Sequence, residues 1–129
     1  MIETRYLPEV PAAQVVVTGE MSMAEYGQAI ADLMAAPWFT PGLGAIWDFR
    51  GGTLRALGPD QLRKIAEYNR EIASRRGPRW RVAVLVSCDV DFGLTREFEA
   101  YAVSVPIEVR IVDDLAEATR WLAAAEPGA

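Results

Sequence analysis

One ten-residue stretch constrains this chain more than any other. Leu43 to Gly52 reads LGAIWDFRGG, an apolar run that stops abruptly in an acid, an arginine and two glycines. Aliphatic and aromatic residues in unbroken succession suit a strand covered on both faces, and the polar break suits its arrival at a sheet edge. In an open α/β sheet, ligands and partners are met outside the carboxyl ends of the strands. Any site is therefore expected around Asp48, with Arg50, Gly51, Gly52 and Thr53 beside it.

The rest of the chain fits around that strand. Ile2 to Tyr6 is short and charged and precedes Pro8 and Pro11, as in an edge strand, while Gln14 to Glu20 is β-branched and pairs antiparallel to it. Ser22 with Glu25 three residues on is a capping box, predicting a helix to about Ala36 that buries Met23, Tyr26, Ile30, Leu33 and Met34. Gly58-Pro59-Asp60 starts the next helix, whose inner stripe is Leu62, Ile65, Ala66, Asn69, Ile72 and Ala73, ending at Gly77-Pro78. Trp80 to Ser87 is a second buried strand. A helix from near Asp91 or Thr95 to Pro106 follows, presenting Leu94, Phe98, Tyr101, Ala102 and Val105. Ile107 to Val112 alternates as an outer strand. Asp113 and Asp114 cap a last helix packed through Leu115, Ala118, Trp121, Leu122 and Ala125, and residues 126–129 are expected to fray.

Strand–helix alternation after an opening hairpin gives the order ββαβαβαβα. That is an α/β fold with a five-stranded mixed, mainly parallel sheet, an antiparallel N-terminal edge strand and about four helices. At 129 residues and 51% hydrophobic content, one core is expected and a single domain over 1–129. A net charge of -5 argues against nucleic acid and against an anionic membrane surface. One cysteine, no secretory signal and no apolar run near the roughly 20 residues of a span point to a soluble cytoplasmic protein.

The order and spacing of several pieces resemble the STAS domain, and in particular the stand-alone bacterial SpoIIAA-like (STAS-like) proteins. The carrying residues are GEMSMAEY (Gly19 to Tyr26), the strand reaching Asp48 with Arg50 two residues on, RVAVLVS, TREFEAY (Thr95 to Tyr101) and IVDDLAEATRWL (Ile111 to Leu122). The resemblance implies a binding or regulatory module rather than an enzyme, with another protein as partner and a second copy of the chain as the other candidate. In anti-sigma-factor antagonists of this kind, the strand-terminal aspartate leads to a phosphorylated serine at a helix N-terminus. Here the segment FRGGTLRALGPD contains no serine, Thr53 lies close to the strand, and Asp60 occupies the helix start. A phosphoserine switch is therefore not expected.

The chemistry legible in the residues themselves is sparse. With no histidine in the chain, Ser-His and Cys-His catalysis and the usual zinc ligand sets are excluded. Acids at strand ends (Asp48, Asp89, Asp91, Asp113, Asp114) are of a type that binds Mg²⁺, but aspartate is also the ordinary helix cap, so no metal and no cofactor is expected. Arg50 beside two glycines suits an anion clamp or a surface pair with Asp48. The seven basic residues from Arg63 to Arg81 read as a solvated helix face, and Cys88 as a small inert residue at a strand end. The rival to a protein-binding module is a small apolar-ligand carrier, or an enzyme, with a pocket near Trp38, Phe39 and Trp47. A deep enclosed cavity with converging polar groups favours that rival; a shallow rim favours the module.

Overall fold

The structure is a computed structural model that describes residues 1–124; the expected frayed tail and Ala125 lie outside the described residues. Five strands form one sheet in the spatial order of the sequence: β1 (Ile2–Leu7), β2 (Ala12–Glu20), β3 (Gly44–Thr53), β4 (Trp80–Leu85) and β5 (Ile107–Val112). β1 runs antiparallel to β2, and the other neighbours are parallel. The expected mixed sheet with its antiparallel edge strand is what forms.

The helices are α1 (Met23–Ala35), α2 (Pro59–Glu71), α3 (Ala73–Arg76), α4 (Asp89–Tyr101) and α5 (Leu115–Ala123). The Ser22 capping box is present in both halves: Ser22 Oγ accepts from the Glu25 amide at 3.1 Å, and the Glu25 carboxylate accepts from the Ser22 amide at 3.0 Å. Two free donors of the first turn are thereby satisfied. The single helix expected from Gly58 to Gly77 is instead two. Ile72, with φ −91° and ψ 2°, closes α2 and opens the four-residue α3, which brings the helix count to five.

Side-chain alternation divides the molecule. Ala13, Val15 and Val17 of β2, Ala45, Trp47 and Phe49 of β3, and Trp80, Val82 and Val84 of β4 share one core with α1, α2 and α4. Ala12, Ile46, Ala83, Leu85 and Val112 face the opposite side, where α5 covers them with Ala118 and Leu122. Three successive parallel crossovers placed on one face leave the other to the last helix alone.

Two differences bear on the site. β3 does not end at Asp48 but runs on to Thr53, because Gly51 and Gly52 stay paired with Thr18 and Gly19 of β2 after a register shift between Val16 and Thr18. A Cβ on Gly52 would lie 2.6 Å from the Val17 carbonyl oxygen and 2.8 Å from that of Gly19, so only glycine lets the strands approach there. In addition, α4 starts at Asp89, with Cys88 in the N-cap position, so Asp91 and Thr95 lie inside the helix rather than at its start.

Candidate functional site

The period of two places the expected site residues on opposite faces of the sheet. Asp48 and Arg50 share the α5 side with Ile46, while Trp47 and Phe49 face the larger core. The Asp48–Arg50 surface and Trp47 of the rival pocket thus lie on opposite sides of the sheet.

On the α5 side, Asp48 is the centre of a closed polar network. Arg50 donates to it three times, through its amide (3.1 Å), Nε (3.0 Å) and Nη2 (2.7 Å), and Gln14 Nε2 donates at 3.1 Å. Burial pushes the Asp48 carboxyl upward, but the side-chain and backbone hydrogen bonds from Arg50, its charge and Gln14 outweigh burial and hold it below its usual range. The Asp48 side chain is only 4% exposed, whereas that of Arg50 is 52% exposed, with its pKa raised by the hydrogen bond to Asp48. Gly51 and Gly52 are strand residues, so their amides do not form the loop nest an anion clamp needs.

Thr53 and Asp60 lie elsewhere. Thr53 Oγ1 donates to Asp91 Oδ1 at 2.8 Å and accepts from the Arg55 amide, and the same carboxylate oxygen accepts from the Leu54 amide at 2.9 Å. Asp91, fully buried, thus ties the end of β3 to the first turn of α4, and its Oδ2 has no partner among the described residues. Asp60 sits exposed in the first turn of α2, paired with Arg63 at 3.1 Å. The amide capped at that helix start is Gly58's, by Gln61 Oε1.

The three aromatics expected to share a pocket also separate. Trp38 stacks on Tyr6 of the edge strand with centroids 5.1 Å apart, on a surface groove beside α1. Phe39 packs against the Arg76 guanidinium at 5.7 Å. Of the three, Trp47 alone lines a cavity of about 80 Å³, half open to the surface, between the sheet and α1, α2 and α4.

That cavity is walled mainly by buried apolar side chains, among them Phe49, Ile65, Trp80, Val82 and Val84, with the partly exposed Leu94 and Phe98 of α4 at its rim. Four polar side chains reach it: Tyr26, Asn69, Arg76 and Thr95. Thr95 is occupied, its hydroxyl donating to the Asp91 carbonyl. Asn69 Nδ2 donates to both the Ile65 carbonyl and the Tyr26 hydroxyl, each at 2.8 Å, which fixes the amide orientation and makes the phenol oxygen an acceptor. Burial raises the Tyr26 pKa to about 12, against the opposing pull of Asn69 and Arg76, so the phenol keeps its proton.

Arg76 is the residue sequence reasoning missed. It belongs to the basic run expected to be solvated, yet it is 2% exposed. Nη1 donates to the Leu43 carbonyl at 2.6 Å, and the guanidinium lies 5.3 Å from the Trp80 ring centroid. Among the described residues no carboxylate pairs with it, and burial lowers its pKa to about 10. The signal was in the sequence. The inner stripe through Leu62, Ile65, Asn69 and Ile72 reaches position 76 at the next turn.

The chain is similar to the crystal structure of an uncharacterized protein of the DUF3478 family, with a SpoIIAA-like fold, from Shewanella loihica PV-4. The two share 19% identity over 95% of this chain and 92% of that one, with a TM-score of 0.56. The fold is SpoIIAA-like. No protein-family model matches the chain, and neither does any curated protein. The likeness covers both halves of the SpoIIAA-like sheet described above and is a likeness of fold.

Proposed function

We propose that this SpoIIAA-like chain is a non-catalytic binding module whose ligand is a small, largely apolar molecule held in the cavity between the sheet and α1, α2 and α4. The observation that carries this reading is a void lined by core residues with a few polar groups converging on it, the usual make-up of a small-molecule site. A binding role suits these groups better than catalysis. Tyr26 is held protonated, Asn69 is committed to Tyr26 and Ile65, Thr95 to a helix carbonyl, and an arginine is not a base near neutrality.

Methyl NMR tests it. Titration with short-chain alcohols, amides and acids is expected to shift the resonances of Ile65, Val82, Val84 and Leu94 together, leaving Leu85 and Leu122 on the far face unmoved. Unmoved cavity methyls with every probe sink the reading.

A second reading, docking of a protein partner or a second copy of the chain on the opposite face, is favoured by one observation. Arg50 presents a half-exposed guanidinium held rigid by a buried carboxylate. If a second copy docks there, sedimentation will show a concentration-dependent dimer that Arg50→Glu abolishes; a monomer at all concentrations removes that version of it.

A further inference from the structure

We infer that the ligand of the cavity is a short-chain monocarboxylate, its carboxylate seated on Arg76 and the Tyr26 hydroxyl and its hydrocarbon tail against Trp47, Phe49 and Val84. The inference rests on the cavity-binding reading above and specifies what that cavity selects.

A buried cation normally has a partner, because removing a charge from water is costly unless an opposite charge or several hydrogen bonds replace the hydration. Among the described residues Arg76 makes one side-chain hydrogen bond, although a guanidinium carries five N–H donors, and it lies over the rings of Phe39 and Trp80. Its side chain lines the same cavity as Tyr26, so an anion in that cavity is within its reach. Tyr26 supplies a second donor. Its oxygen already accepts from Asn69, and its own O–H has no acceptor among the described residues. A charged fork and a neutral hydroxyl on one cavity match the two oxygens of a carboxylate. Phosphate monoesters fit less well, because Arg76 is the one cation among the lining residues and cannot meet their second charge.

The apolar lining and the volume fix the rest of the molecule. Roughly half the size of an engineered apolar cavity of about 150 Å³ that admits benzene, this one suits an acid of about two to three carbons. The carboxylate of such an acid supplies the opposite charge that Arg76 lacks among the described residues.

The test compares propionate with its neutral isostere propionamide, and acetate with acetamide, by Trp fluorescence and the same methyl resonances. Trp47 and Trp80 both line the cavity and serve as reporters. Expected is a preference for the acid of roughly tenfold or more, the usual margin of a charge-assisted hydrogen bond. Arg76→Met should erase the preference while leaving amide binding in place, and Tyr26→Phe should weaken the acid by a smaller factor. Equal affinity of acid and amide in the wild type overturns the acid assignment and leaves the cavity reading standing. Acid binding that moves no cavity methyl and survives Arg76→Met overturns both. If Arg76→Met does not fold, the wild type decides. The preference should fade as the ligand acid protonates, near about pH 4.5 by analogy with ordinary carboxyls, and a pH-independent preference overturns the assignment.

Discussion

A buried ion can be held for opposite reasons, and Asp48 and Arg76 illustrate them. Asp48 is fully answered by Gln14 and Arg50, so its burial is a structural asset. Removing it orphans the buried Gln14 and frees Arg50. Asp48→Ala is accordingly expected to cost about 2 kcal/mol in urea unfolding, the scale of leaving the buried Gln14 amide without its partner together with the loss of a half-exposed ion pair. The sign of the pH dependence follows from its lowered pKa. The stabilisation is in place above the unfolded-state value of about 3.9 and is lost as pH falls through the folded value. Unfolding free energy of the wild type should therefore fall more steeply below about pH 4 than that of Asp48→Asn. Thr53 also reads differently with its partners in view. Its hydroxyl is engaged by Asp91 and the Arg55 amide, and a phosphate there would set roughly two negative charges against a buried carboxylate. Phosphosite mapping after kinase treatment is expected to find Thr53 unmodified.

At the scale of elements, the close approach of β2 and β3 near their carboxyl ends is set by one glycine of an adjacent pair. Gly52→Ala would press a methyl into the carbonyls of Val17 and Gly19, whereas at Gly51 the nearest atom is 3.9 Å away. The first is expected to destabilise by about 2 kcal/mol, and the second to stay within about 0.5 kcal/mol, measured by thermal unfolding. These elements also show what the sequence could and could not disclose. The strands, their order and the Ser22 cap were legible because periodicity and capping chemistry are local. The exit of β3 was not, since a register shift at Val16 and Thr18 belongs to the partner strand, and Gly51-Gly52 reads the same in a loop as in an edge pairing. Asp91 was hidden for a related reason. A charged residue near a helix end is solvated by default, and its burial depends on α4 reaching the end of β3.

For the whole molecule, the sheet separates a stabilising polar network from an unfilled volume. The Asp48 network and α5 occupy one face, and the cavity with Tyr26 and Arg76 occupies the other. Sequence patterning indicated a core near Trp47 without indicating that it is under-filled, because cavity volume is the difference between many side-chain volumes and the space between elements. A wall that is not close-packed gives up dispersion contacts that a larger side chain would regain. A site kept for a ligand has that property, because stability and function then pull the same residues in opposite directions. Val84 makes the conflict measurable. It lines the cavity from the middle of β4, and Val84→Ile adds one methylene to a β-branched side chain that the strand already accommodates. The substitution should raise stability by about 0.8 kcal/mol while weakening small-molecule binding in the methyl titration. Destabilisation would mean the wall is already close-packed at that point, and unchanged binding in a stabilised variant would place the ligand elsewhere.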